Sequence, residues 1–497
     1  MMHDAASRAG RVHDAIPSIS PDRTLFVAVS FEGPDPSSQA GGLGIRMTGL
    51  VDTLASLGYE THIFFFGDPD RPGEERVTDS RLVLHRWGQW ISRNCAGGVY
   101  DGEAAKVDDM TRALPPYLVD RVLVPAIASG RVPIVLFEEW QTAECAIRVS
   151  DALEAYGLRD SAVLVWNANN PYGFEQINWA RLAASTMITT VSRYMRGIIR
   201  SSGADARVIP NGIPDASFDP VPKSDVARLR GALDARPGTG MLFKMARWER
   251  EKGWIQAVEA VAQLRSREPG RYQAPVLIGR GGGPTGQGGG LGAYAATRGL
   301  SVTTFDTKGA FLAGVHDAIH GGADIVDLRF GVDHTLARAL YAAADGVLAN
   351  SVSEPFGLVG LEAMAAGGVA FTGGTGEDYA VGGRNAIVLE TLDPGEIAAR
   401  WRELSLAPAL SARVRRAARR TARGYAWREI VAILIEALAA QARRQGLLIP
   451  QAPLPLPRLA PARRAGAARS LHRARVERAA MQVAVGVGVD VETRDVV

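Results

Sequence analysis

Two cations and two carboxylates stand out in this sequence because each pair falls where an apolar run gives way to a helical pattern. Arg247 and Lys252 open and close the stretch Arg247-Trp248-Glu249-Arg250-Glu251-Lys252, directly after the apolar run 241–246. Cations so spaced on a strand-to-helix loop can converge on one dianion, the guanidinium as a planar fork and the ammonium as a point charge. A solvated charged loop has the same composition, so the residues alone leave both readings open. Glu354 and Glu362 bracket Pro355-Phe356-Gly357-Leu358-Val359-Gly360-Leu361. Proline suits the first helical turn, which predicts a helix over 356–366 with Glu354 at its mouth and Glu362 about two turns inside. The free N–H groups of Phe356, Gly357 and Leu358 then face the same way as Glu354, a helix start that can hold sugar hydroxyls beside a phosphate. Glu362, hemmed in by Leu358, Val359, Leu361 and Met364, needs a hydrogen-bonding partner if buried. A ribose diol would serve; the duller alternative is a capping acid followed by a surface acid.

A third feature is the turn Gly41-Gly42-Leu43-Gly44, between the apolar run 24–30 and a helical pattern. Glycine removes the side chain that would block close approach, and backbone N–H groups at a helix start attract anions. The turn reads either as a phosphate site or as a flexible loop. It is not G-x-G-x-x-G, so a nicotinamide-cofactor domain gains little support.

The elements that must position these residues alternate between strands and helices, which favours parallel α/β sheets. Strands are expected at 24–30, 62–66, 134–137, 162–166, 187–191 and 206–209, with a helix over 45–57 that Gly58 ends. A second series has strands at 241–246, 275–278, 346–349 and 369–372 and helices over 254–265 and 356–366. The boundary falls within 210–236. The expected domains are a leader (1–22), an N-terminal domain (23–220), a C-terminal domain (221–425), a helix packing back towards the N-terminal domain (426–446) and a Pro/Ala/Arg-rich tail (447–497). Residues 281–292 read as a long glycine-rich loop.

Taken together and in this order, Gly41–Gly44, Arg247 with Lys252, and Glu354 with Glu362 resemble the GT-B retaining glycosyltransferases, group 1 or family 4 type. That family includes sucrose synthases, mannosyltransferases and, more distantly, bacterial glycogen synthases. Thr190-Val191-Ser192-Arg193, Ile209-Pro210-Asn211-Gly212-Ile213 and the run 340–366 support the resemblance, which covers residues 24–440. It implies two Rossmann-like, doubly wound domains facing a central cleft. It also implies a UDP-, GDP- or ADP-hexose as donor, a saccharide or other hydroxyl as acceptor, and no metal or other cofactor. By position, Arg247 and Lys252 would stabilise the leaving diphosphate and Glu354 would bind sugar hydroxyls. Glu362 would bind the ribose. Backbone N–H groups at the glycine turn (Gly41, Gly42, Leu43) and at Phe356, Gly357 and Leu358 would contact sugar and diphosphate. Two departures concern the N-terminal domain. Glu138, in Phe137-Glu138-Glu139-Trp140, stands where relatives carry His, and Asn167 occupies a second such position. Both are site candidates, with ordinary strand-end polar residues as the alternative. Gln39 replaces a lysine of glycogen synthases and argues against glucan synthesis. A non-catalytic sugar-nucleotide binder is the alternative reading of the whole chain.

Composition narrows the field. The 497 residues carry 56 Lys+Arg against 53 Asp+Glu, a net +3 that excludes a globally basic nucleic-acid coat. That figure hides a partition, because residues 441–497 hold ten Arg against four acids. Such a tail suits weak contact with an anionic membrane, so the expected location is cytoplasmic with a peripheral membrane option. Cys95 and Cys145 cannot build a disulfide framework and read as reduced core thiols. Three motifs are set aside. His316 and His320 have zinc-helix spacing, but Asp317 is shorter than the glutamate such a site needs. Asp68-Pro69-Asp70 mimics a metal-binding Asp-x-Asp, and arginines over 413–423 read as a solvated helix face.

Overall fold

The computed structural model describes residues 19–95, 97–267, 274–281 and 290–447. The expected leader up to residue 18, the centre of the glycine-rich loop (282–289) and the tail from 448 lie outside the described residues.

Two sheets organise the chain. The first contains β1 (Thr24–Val29), β2 (Glu60–Phe65), β3 (Glu74–Arg76), β4 (Leu82–Arg86), β5 (Val132–Glu138), β6 (Val163–Ala168), β7 (Met187–Thr190) and β8 (Arg207–Val208), in the order β3-β4-β2-β1-β5-β6-β7-β8. Every pair is parallel except β3–β4. The second contains β9 (Met241–Met245), β10 (Val276–Arg280), β11 (Val302–Phe305), β12 (Ile325–Leu328), β13 (Gly346–Ala349), β14 (Ala370–Thr372) and β15 (Ile387–Val388), all parallel, in the order β11-β12-β10-β9-β13-β14-β15. Helices cover both faces of a parallel sheet, so its central strands read as continuous apolar runs; every residue of β1, β5 and β6 is buried. Five strands are missing from the sequence reading; β4 and β12 are buried throughout, but His85, Arg86 and Asp327 interrupt their short apolar runs, and the other three lack the buried pattern. β3 is largely exposed, β11 is only half-buried, and β15 spans two residues.

Each sheet is doubly wound. In the first, β1 sends the chain to β2 on one side and later to β5 on the other. In the second, β10 and β13 flank β9 in the same way. A crevice forms where the winding reverses, at the carboxyl ends of the central strands, and ligands bind there in open α/β sheets. In the second unit, Leu242, Leu277, Leu348 and Phe371 from the sheet pack with Trp254, Val258, Ile397 and Trp401 from helices.

Contacts group the described chain into two units. One holds the residues up to Phe31, Gly58–Val208 and those from Glu436. The other holds Glu32–Leu57 and Ile209–Ile435. Glu32–Leu57 thus groups with the second unit, where continuous ranges expected it in the first. Side chains on helix α1 (Gly42–Ser56) give the physical reason. The Arg46 guanidinium donates to Asn211 Oδ1 at 2.5 Å. The Trp427 ring fills a gap left by two glycines, since a Cβ at Gly49 or Gly212 would lie 2.0 or 2.4 Å from it. Helix Trp427–Arg444 contributes residues to both groups. Cys145 is a core thiol as expected, whereas Cys95 is only partly buried. No described helix is long and apolar enough to cross a membrane.

Gly49 and Gly197 both sit inside helices, but an added Cβ at Gly197 meets nothing. Gly197→Ala should therefore raise stability by about 0.5–1 kcal/mol through helix propensity. Gly49→Ala should lower it by about 1–3 kcal/mol through overpacking against Trp427. Thermal melting of the two variants checks the opposite signs.

Candidate active site

One predicted cation and one predicted acid, Lys252 and Glu354, meet at the switch point of the second sheet. Arg247 and Lys252 follow β9, and Glu354 follows β13. These strands are neighbours, with Gly346 opposite Leu242 and Val347 opposite Phe243, so both loops leave the same edge. Lys252 Nζ donates to Glu354 Oε2 at 3.0 Å, each side chain about one-fifth exposed. The loops are also tied through the backbone, where Val352 N donates to Glu251 O at 2.8 Å. Gly253 adopts φ +67°, and a Cβ there would lie 2.2 Å from Asn350 O, so glycine is required by both conformation and space. Arg247 takes another course. Its side chain is 74% exposed and pairs with Glu249 at 3.0 Å.

The acidic segment differs from its expected form. The helix begins at Leu358, not 356, because Gly357 adopts φ +81° and ends any helical run from Pro355. We label this helix, Leu358–Ala365, α2. Its unpaired first-turn N–H groups belong to Leu358, Val359 and Gly360. Phe356 is 3% exposed and packs beside Tyr379 and Tyr425. The Gly357 carbonyl accepts the Tyr379 hydroxyl at 2.5 Å. Thr375 pins Glu354 by accepting from its N–H and donating to its carbonyl, at 2.9 and 3.1 Å.

Glu362 finds a partner inside the protein, accepting from the Tyr341 hydroxyl at 3.3 Å. It keeps a little solvent exposure, but dense apolar surroundings push its carboxyl up to about 7. Glu377, a residue the sequence reading missed, lies 6% exposed beside Thr375. Burial, with the Glu354 charge adding to it, pushes its carboxyl up to about 8. Its Oε2 accepts the Thr375 N–H at 3.1 Å, while Oε1 has no partner. The available signal was an acid closing the turn Gly373-Gly374-Thr375-Gly376 after an apolar run. The buried Lys244 on β9 and its partner Asn350 were also missed.

The glycine turn is partly filled by the chain itself. Helix α1 starts at Gly42, three residues earlier than expected, because extended Gly41 lets the turn become the first helical turn. The Glu32 carboxylate, 2% exposed, accepts from the N–H groups of Ala40, Gly41 and Gly44 at 3.0–3.1 Å. Of the turn's candidates, Gly41 is therefore engaged, whereas Glu32 does not take the N–H groups of Gly42 and Leu43. In the first unit, Glu138 ends β5, Asn167 is next to the last residue of β6, and the two bond to one another. Asn167 Nδ2 and Asn169 Nδ2 both donate to Glu138 Oε2, at 2.9 and 3.0 Å. Thr189 Oγ1 donates to Asn167 Oδ1 at 2.9 Å. The neighbouring Glu139 holds φ +69°, a conformation that costs a non-glycine residue about 1–3 kcal/mol.

The set-aside motifs stay apart from these groups. The His316 and His320 rings stack on the exposed face of helix Lys308–His320, Asp68 Oδ1 accepts the Asp70 N–H, and among the described residues no three His, Cys, Asp or Glu converge on a metal position. One expectation needs correction. Arg415 is not on a solvated face but buries its guanidinium against the carbonyls of Ala342, Ala344 and Gly367.

Residues 318–421, which contain both glutamates and the loop clamped on them, match the family model described as glycosyl transferases group 1. The chain carries a group 1 glycosyltransferase domain. This glycosyltransferase is 28% identical to D-inositol 3-phosphate glycosyltransferase 2 of Catenulispora acidiphila, over 73% of the chain and 81% of that protein. It is 27% identical to the glycogen synthase of Bordetella petrii, over 75% of the chain and 80% of that protein. Sucrose-phosphate synthase from Thermosynechococcus elongatus shares the GT-B fold, with a TM-score of 0.58 at 19% identity, covering 84% of this chain and 99% of that one.

The two raised carboxyls make a stability prediction for the glycosyltransferase. The folded chain keeps protons that the unfolded chain, with carboxyls near 4.5, gives up. Their contribution is complete below about pH 4.5 and is lost as pH rises through about 7 to 8. Unfolding free energy should drop by up to about 6 kcal/mol between pH 5 and 8, at about 1.4 kcal/mol per pKa unit for each group. Denaturant melts of Glu377→Gln over that range should show a visibly shallower decline.

Proposed function

We propose that this glycosyltransferase moves a hexose from a nucleotide-diphosphate sugar to a saccharide or other hydroxyl acceptor, retaining anomeric configuration and needing no divalent ion. The Lys252–Glu354 pair at the β9/β13 switch point carries this reading. Before the donor binds, each residue satisfies the other. On binding, Lys252 turns to the diphosphate and Glu354 to the sugar hydroxyls. Charge stabilisation is then aimed at the oxygen that becomes negative as the bond breaks. Exposed Arg247 is long enough to fold over the same phosphates, and the N–H groups that open α2 add fixed partial positive charge.

The reaction balances without a protein nucleophile. The bond from anomeric carbon to diphosphate oxygen breaks, and the acceptor oxygen bonds that carbon from the same face. The acceptor proton passes to the departing diphosphate. Glu362, with Tyr341 as its resting partner, is assigned to the ribose, and Gly42 and Leu43 to sugar and phosphate contacts. Glu138 and Asn167 are assigned to the acceptor. Their mutual bonding also supports the second reading, a sugar-nucleotide binder without turnover, because groups engaged with one another are less available to an acceptor.

Release of nucleoside diphosphate, measured with UDP-, GDP- and ADP-hexoses and a panel of hydroxyl acceptors, tests this. Lys252→Ala and Glu354→Gln should each lower turnover by about 10²–10³-fold, and EDTA should leave it unchanged. Unaltered turnover in both variants would sink the assignment, and donor binding without release would favour the second reading.

A further inference from the structure

Lys244 is buried beneath the candidate donor site. It lies next to the last residue of β9, 1% exposed, opposite Gly279 of β10. Its Nζ donates to Leu348 O at 3.2 Å and to Asn350 Oδ1 at 2.6 Å, and it sits 5.3 Å from the Trp254 ring centre. Asn350 in turn donates through Nδ2 to Gly253 O at 3.0 Å. Gly253 adjoins Lys252, which reaches Glu354. One chain of contacts therefore runs from the buried amine through Asn350 to the loop that presents Lys252.

We propose that Lys244 is a positioning and charge-tuning residue of the donor site, holding the Lys252 loop and taking up a proton when a nucleotide-sugar diphosphate binds. This rests on the reading that Lys252 and Arg247 hold that diphosphate. The groups facing Lys244 from each neighbouring element are few. β10 offers Gly279, the strand end at Leu348 a carbonyl, and Trp254 its indole; the charges acting on it are Lys252, which repels, and Glu354, which attracts. Burial, and after it the charge of Lys252, brings the amine down to about 7. A diphosphate brought to Lys252 adds two negative charges to this balance and favours the ammonium form. The proton comes from solvent. A neutral amine keeps two N–H donors, so the bonds to Leu348 and Asn350 survive in either state. Donor affinity is then highest below neutral pH and falls as pH rises through the free-state value, since the bound state holds its proton more tightly.

Calorimetric titration of the full chain with UDP-glucose, GDP-mannose and ADP-glucose at pH 7.5, repeated in buffers of different ionisation heat, counts the protons taken up. The donor that binds should bring in roughly half a proton. Lys244→Gln, which keeps hydrogen-bond donors without the charge, should bind the same donor with that uptake lost and with an affinity that no longer falls between pH 6.5 and 8.5. Binding without uptake in the unaltered chain overturns the proposal before any variant is made. Uptake undiminished in Lys244→Gln assigns the proton to Glu362 or Glu377 and also overturns it. If none of the three donors binds, the donor-site reading itself fails, and the proposal with it.

Discussion

A lysine on one loop and a glutamate on the next hold each other at the edge of a parallel sheet, and the candidate site is organised around that bond. The pair is only about one-fifth exposed, so neither charge is fully hydrated, and separating them without a replacement partner would be unfavourable. A donor that brings phosphate to the lysine and hydroxyls to the glutamate supplies both replacements at once. Under the proposed function, the pair would be preorganised for a ligand with two chemically different ends. Gly253, Asn350 and Thr375 serve the same arrangement by leaving the two loops little freedom.

Beneath the pair, the protein avoids accumulating unpaired buried charge. Lys244, Glu362 and Glu377 are all held near neutrality by burial. An ion fully desolvated in an apolar interior shifts its pKa instead of remaining charged. As a result, the groups under the site titrate in the range where enzymes usually work, while Lys252 and Glu354 carry the formal charges at the surface of the crevice. A strand lysine, a helix glutamate and a loop glutamate reach this condition through the same cause, burial, which makes it a property of the location.

The glycine turn shows the limit of motif reading. Its residues have the spacing of an anion cradle, yet Glu32 supplies a carboxylate from the same loop and takes the N–H groups of Gly41 and Gly44, with that of Ala40 just before the turn. That internal anion fixes the turn. A similar economy operates in the first unit, where Glu138 is held by two asparagine amides.

The sequence by itself determined the two parallel α/β sheets, because central strands buried on both faces must be continuous apolar runs. It also singled out Arg247, Lys252, Glu354 and Glu362 as candidates, from their types and their spacing along a strand-to-helix pattern. It could not show that Lys252 pairs with Glu354 while Arg247 points to solvent, since that depends on β9 lying beside β13, which are 100 residues apart in the chain. It misplaced the start of α2 because Pro355 signals a helix, whereas the left-handed conformation of Gly357 is imposed by Tyr379 and the surrounding turn. Lys244 and Glu377 were invisible for the same reason. A lysine in a strand or a glutamate in a loop is ordinarily solvated, and only tertiary burial turns either into a group that titrates near neutral pH.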